Sequence, residues 1–278
     1  MKVSRPERIK LKRDKNGVSP AISTVIMTAA TVVLVLVASQ YAYRIMEQNK
    51  GAAEFATAKK AMLTLDDSIE YVADKPQTSR STQFTANYGR IELIPNALNL
   101  TMTVNVANNS TSYSTTFGLI KYSISTAYVN YGGDYREYIL GDEKVIVTRG
   151  TEDLGQIVVE QKSGLVSVIL SYRVYAAKTY ETVSLGQNVT YVDVRIIKIE
   201  VQRASAYAGE LDIIARCVDR SAIFSHVFDV PSDGITATVS AKIGESPMDS
   251  WTSAPLRKGI VVFNFIVSVV SISVYGGR

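Results

Sequence analysis

Histidine and cysteine are almost absent from this chain: His226 and Cys217 are the single examples in 278 residues. Any His/Cys metal cluster or Cys–His dyad would have to be built from those two alone, and a lone thiol cannot close a disulfide within the chain. His226 shares a strand face with Phe224, Phe228 and Val230, and Cys217 lies in the apolar run Leu211–Val218, so both read as packing residues. There is no glycine-rich phosphate loop, HExxH pair, CxxC pair or EF-hand loop. The adjacent acids Asp66-Asp67 and Glu152-Asp153 read as solvated charges rather than acid–base pairs. No catalytic, cofactor-binding or metal-ligating residue is assigned, and nothing here argues for an enzyme.

Charge is missing in one place above all. The 28 residues between Lys15 and Arg44 carry none. The stretch Val18–Val37 is nearly all apolar or small, and roughly 20 such residues cross the hydrocarbon core of a bilayer. Residues 1–17 hold seven cations (Lys2, Arg5, Arg8, Lys10, Lys12, Arg13, Lys15) against Glu7 and Asp14, a net +5 in a chain whose total is +4. The remainder is therefore slightly acidic, and no basic stripe interleaved with aromatics follows, so a nucleic-acid partner is not expected. Cationic flanks stay on the cytoplasmic side of an inserting helix, which places everything beyond about Tyr43 outside the cell.

The junction itself is specific. Lys12-Arg13-Asp14-Lys15-Asn16-Gly17 meets Val18-Ser19-Pro20-Ala21-Ile22-Ser23-Thr24-Val25-Ile26, a pattern that resembles the class III signal of archaeal type IV pilins and archaellins. The resemblance covers some 15 residues. It implies that a prepilin peptidase cuts between Gly17 and Val18 and leaves the apolar helix on the mature protein. It also implies the other partners: further copies of this chain or other pilins through the helix, a pilus assembly ATPase, and a polytopic membrane platform. Bacterial type IV pilins carry a glutamate at the fifth mature position, where this chain has Ile22, a departure that selects the archaeal branch. Physical chemistry supplies its own reason for the cut, because seven cations at one helix end would be desolvated side by side if subunits packed. After cleavage Ser19 suits the N-cap and Pro20 the first helical position.

No proline interrupts Ala21–Lys75, Gly51 is the sole glycine there, and Pro76 closes the segment, so a helix is expected from about Ser19 to Asp74. Phe55, Met62, Leu65, Ile69 and Val72 form one helical stripe that should pack on the chain's own outer domain. Ala21, Thr24, Thr28, Ala29, Ala30 and Thr31 are small enough for neighbouring helices to approach closely.

From about Gln83 the period changes to 2. Strands are expected at Arg90–Ile94, Leu98–Val106, Leu119–Ser125, Ala127–Tyr131 paired with Tyr135–Leu140, Lys144–Thr148, Gln156–Glu160, Leu165–Tyr175 and Tyr191–Val201, the last with a bulge at Ile196-Ile197. A second set follows at Leu211–Val218, Ala222–Val230, Ile235–Ile243 and Ile260–Tyr275. The final run from Gly259 is too short and too rich in serine and β-branched residues for a membrane helix. The expected class is thus α+β: a long N-terminal apolar to amphipathic helix, then an antiparallel sandwich-like extracellular domain with a C-terminal β extension. In residues, 1–17 are the cationic leader, 18–75 the helix with 18–43 as membrane or filament core, 76–202 a β domain, and 203–278 a second β lobe or extension.

Four sequons, at Asn99, Asn108, Asn109 and Asn188, fall in the part placed outside, and are candidate N-glycosylation sites. Sixteen tyrosines suit a surface that packs or adheres, or the core of the domain. Together these features lead to the expectation of a pilus-like surface filament subunit, membrane-inserted before assembly. The alternatives are an archaellin-like motility subunit, and a membrane-anchored or secreted β protein such as a class III solute-binding protein.

Overall fold

The computed structural model describes residues 19–150 and 152–277. The leader and the Gly17/Val18 junction lie outside the described residues, as do the side chains of Ser19, Pro20, Ala21, Ser221, Ala222, Ile223 and Phe224. Two compact units are defined, Met1–Gln48 and Asn49–Arg278. The described part of the first is helix alone.

One helix is present among the described residues, α1 (Ser19–Ala73), within one residue of the expected end. Twelve strands follow: β1 (Ser79–Val106), β2 (Asn109–Ser125), β3 (Arg136–Leu140), β4 (Ile146–Val147), β5 (Gly155–Lys162), β6 (Leu165–Tyr172), β7 (Val174–Ser184), β8 (Gln187–Glu200), β9 (Ser205–Val230), β10 (Ala237–Ile243), β11 (Asp249–Thr252) and β12 (Gly259–Gly276). The protein is therefore α+β, a long apolar helix followed by a large sheet. Its strand order is β3-β5-β6-β2-β1-β9-β12-β8-β7-β4, with β10 attached to β1 and β11 to β10.

The sheet is mixed, where antiparallel pairing was expected. β12 runs parallel to β8, and β4 runs parallel to β7. The C-terminal strand does not extend an edge but inserts between β8 and β9, antiparallel to β9. Alternation along one strand reports which face is buried, not which neighbour it meets or in what direction. Two further expectations need correction. Residues 127–131 are turn and coil, so the proposed hairpin does not form; β3 pairs with β5 instead. The runs Leu211–Val218 and Ala222–Val230 are one strand, β9, and Arg90–Ile94 joins Leu98–Val106 within β1 across a register shift.

Beneath this topology lie two apolar cores. In the first, Phe55, Ala58, Met62, Leu65, Ile69 and Val72 of α1 meet Phe84 and Ile91 of β1, Ile120 and Tyr122 of β2, Val168 and Leu170 of β6, Ile213 of β9 and Ile272 of β12. In the second, Leu100, Met102, Val104 and Val106 of β1 meet Val239 of β10, Val192 and Val194 of β8, and Phe263 and Phe265 of β12. The same long strands serve both. On β8, Ile196 belongs to the second core and its neighbour Ile197 to the first. Successive side chains point to opposite faces, so the sheet buries one face at one end and the other face further along. The change at Ile196-Ile197 thus needs no bulge, and the β8–β12 ladder is continuous from Asn188 to Glu200.

Gly51 is explained by packing. A Cβ there would stand 2.6–2.8 Å from the side chain of Tyr128, so the ring lies directly on the helix backbone.

Candidate assembly helix and its seat

Residues 22–46 of α1 expose nearly everything they carry. Ten large apolar side chains between Ile22 and Val37 are 53–67% exposed. Fully burying such a side chain from full exposure is worth about 1.5–3 kcal/mol, so covering what these ten still expose, by lipid or protein, is favourable by on the order of 10 kcal/mol. Two of the hydroxyls within it are already satisfied. Thr28 donates its hydroxyl to the carbonyl of Thr24 at 2.7 Å, and Thr31 donates to that of Met27 at 3.0 Å. The hydroxyls thus bond back into the helix, and the two threonines add little polar demand to that surface. The helix is long and apolar enough to span a membrane or to serve as a signal sequence.

From residue 49 onward the helix is seated on the sheet, and its seat is polar at both ends. Glu54 accepts hydrogen bonds from the backbone N–H of Asn87 at 2.8 Å, of Tyr88 at 3.0 Å and of Gly89 at 3.0 Å, and from the Tyr122 hydroxyl at 2.8 Å. Those three N–H groups lie where β1 slips register against β9, between Ala86 and Ile91, so the ladder to β9 is interrupted there. A carboxylate from the helix takes the place of that strand. Burial and the neighbouring Glu54 push the Tyr122 hydroxyl well above its ordinary pKa, so it remains a donor.

Four turns later Glu70 accepts from the N–H groups of Leu154 and Gly155, both at 3.0 Å. Asp66, one turn before Glu70, is 3% exposed and packs directly on the Gly155 backbone, where a Cβ would collide with its carboxyl group. Burial, then the Glu70 carboxylate, raise its pKa from 3.8 to about 7. The Tyr172 hydroxyl acts against this rise. Yet neither that hydroxyl nor Asp66 Oδ1 completes a hydrogen bond of acceptable geometry, so its help is weak. Glu70 is also raised, chiefly by burial.

Reading Asp66-Asp67 as two solvated charges is thus corrected for Asp66. Asp67 is exposed, but Asp66 sits four residues after Met62 and three before Ile69, on the buried stripe itself. The helical period carried that signal, and weighing the pair by charge alone concealed it. Glu54 and Glu70 gave less warning, since their partners are backbone groups on distant strands.

The four sequon asparagines are dispersed. Asn99 is exposed on β1 with Thr101 exposed beside it, and Asn108 and Asn109 are exposed at the β1–β2 turn. Asn188 differs: its amide donates to the Lys258 carbonyl at 2.9 Å, and Thr190 of the same sequon is 2% exposed. Cys217 is buried in β9, where its N–H bonds the Thr78 carbonyl at 3.1 Å. His226 is half-buried with its ring 5.9 Å from that of Phe228. Among the described residues no group of three or more His, Cys, Asp or Glu side chains is placed to hold a metal ion.

What this arrangement offers is a large apolar helical surface carried by a chain whose remaining core is its own. No protein-family model, curated protein or solved structure matches the chain.

Proposed function

We propose that this protein is a structural subunit of an archaeal type IV pilus-like surface filament. Its precursor inserts with the N-terminus in the cytoplasm, a prepilin peptidase removes residues 1–17, and the apolar helix passes from lipid into a bundle of its own copies. A pilus assembly ATPase and a membrane platform drive that transfer, and the β domain, sandwich-like and extracellular, is displayed outward for adhesion. Glycans on the exposed sequons would decorate it.

The observation that carries this reading is the helix from Ile22 to Tyr43, free of charge and exposed along its length. A helix greasy all round is soluble only in lipid or among other helices. The class III resemblance at Gly17-Val18 chooses between these by providing for the leader's removal.

The N-terminus of the cell-surface form tests it. Mass spectrometry should find mature chains beginning at Val18, and electron microscopy should then find filaments that disappear when the chain is deleted. A start at Met1 indicates a fixed anchor, and a start at Gln40, after the small-residue site Val37-Ala38-Ser39 that a secretory signal would present, a secreted β protein; either result ends the filament reading. Loss of swimming rather than of attachment on deletion would assign the archaellin-like role.

A further inference from the structure

The β7–β8 hairpin ends in a residue ill suited to its backbone. Ser184 pairs with Gln187, so Leu185 and Gly186 alone make the turn, with φ of 49° and 79°. Two successive positive φ values define a type I′ turn, whose first position favours Asn, Asp or Gly because bulky side chains crowd the left-handed region. Leucine stands there instead and is 103% exposed, so no packing within the subunit offsets the strain. Val183 and Tyr180 on the same arm are 66% and 54% exposed, and no charge occurs from Thr182 to Val192.

Away from this tip lies a groove with an apolar floor. Ile120 and Leu170 face the helix, while the alternate residues Leu119 and Ile169, with Val158, Leu98 and Ile243, floor a groove of about 590 Å³ on the opposite face. Three basic and three acidic side chains also line it, the buried Arg173 among them. An uncharged tip therefore enters it without stranding a charge of its own against an unbalanced field.

We propose that the Leu185 tip of one copy seats in this groove of the next. The proposal rests on the filament reading and adds the contact by which the β domains join. The groove reaches the base of β7, where Arg173 lines it, but Leu185 stands twelve residues further along the extended hairpin arm, roughly 35–40 Å away, so a copy does not fill its own groove. Joining two different patches on identical copies is a heterologous contact, which propagates rather than closing on itself as a two-fold dimer does. Three apolar side chains fall short of the roughly 1,200–2,000 Å² that holds a stable pair. The contact therefore reinforces copies already gathered through their helices, where a second attachment is effectively intramolecular.

Paired cysteines test it. Leu185→Cys with Pro247→Cys, at the tip and at the groove wall, should on oxidation of surface filaments give a ladder of trimers and longer species, whereas either single variant gives none. Cys217 is buried and does not interfere. Intact filaments without a ladder overturn the hairpin contact and leave the filament reading standing; absence of filaments from the unmodified chain overturns both. Labelling of the tip by a membrane-restricted photoprobe, again without a ladder, overturns the contact in favour of lipid. Leu185→Asn separates contact from fold. It should raise the melting temperature of the detergent-dispersed subunit by about 2–4 °C by relieving the turn, yet lower the temperature at which filaments dissociate. A variant that does the first without the second also refutes the proposal.

Discussion

Replacing Asp66 by asparagine should stabilise this protein above neutral pH and leave it nearly unchanged in mild acid. In the folded chain the carboxyl keeps its proton up to about pH 7, while in the unfolded chain it releases it near 3.9, the value for a free aspartate. Between those limits the folded state binds the extra proton, so Asp66 subtracts stability as pH rises, by about 1.4 kcal/mol per pH unit, and the loss levels off above about pH 7. The full penalty for holding the ionised group in place is on the order of 4 kcal/mol. Glu70, also raised, adds a smaller loss of the same sign. Asparagine has the shape of the protonated acid and no charge to desolvate.

The assay is urea unfolding of the full chain in detergent, followed by the fluorescence of Trp251, the single tryptophan, which packs against the second core. Subtracting the wild-type curve from that of Asp66→Asn cancels the carboxylates that do not interact with Asp66 and leaves its own contribution together with its coupling to Glu70. At about pH 8 the variant should be more stable by roughly 2–4 kcal/mol, and near pH 4 the two should agree within about 1 kcal/mol. A variant less stable than wild type at pH 8, or a difference that does not depend on pH, would refute the claim that this carboxyl is buried without compensation.

Glu54 should behave in the opposite sense. Glu54→Gln leaves one acceptor for four donors and turns an amide N–H₂ toward N–H groups, which should cost about 2–4 kcal/mol in the same urea experiment; a loss below about 0.5 kcal/mol would show that water satisfies those groups equally well. If the surface form is glycosylated, glycopeptide mass spectrometry should find occupancy at Asn99, Asn108 or Asn109 and not at Asn188. The amide of Asn188 is held by Lys258 and its threonine is buried, so modification there alone would contradict the structure.

The helix and most of the strands were legible because each rests on a period: 3.6 for the stripe from Phe55 to Val72, and 2 for Leu98–Val106. What escaped depends on partners remote in sequence. Nothing within Ile260–Tyr275 says that it enters between β8 and β9, or that it parallels the former. The turn at residues 127–131 has the composition of a strand, but Tyr128 there packs on Gly51 of the helix and Tyr131 near Phe55, so tertiary contacts override the local pattern. Glu54 meets N–H groups 33 to 35 residues away, a distance over which spacing carries no information.

The carboxylates on α1 have a role that the apolar stripe cannot fill. A stripe repeating every three or four residues matches an apolar sheet almost as well after sliding by one turn, about 5.4 Å along the axis. Such a slide would keep most of the burial. It would also withdraw Glu54 from Asn87, Tyr88 and Gly89, and Glu70 from Leu154 and Gly155, leaving five N–H groups without their acceptors, at about 1–3 kcal/mol for each that stays buried. Burial therefore supplies the strength of docking, and the two glutamates, 16 residues apart, select one register. If the apolar part of this same helix holds the subunit in a filament, as proposed, that selection matters, because axial load would act along the direction in which a purely apolar seat resists least.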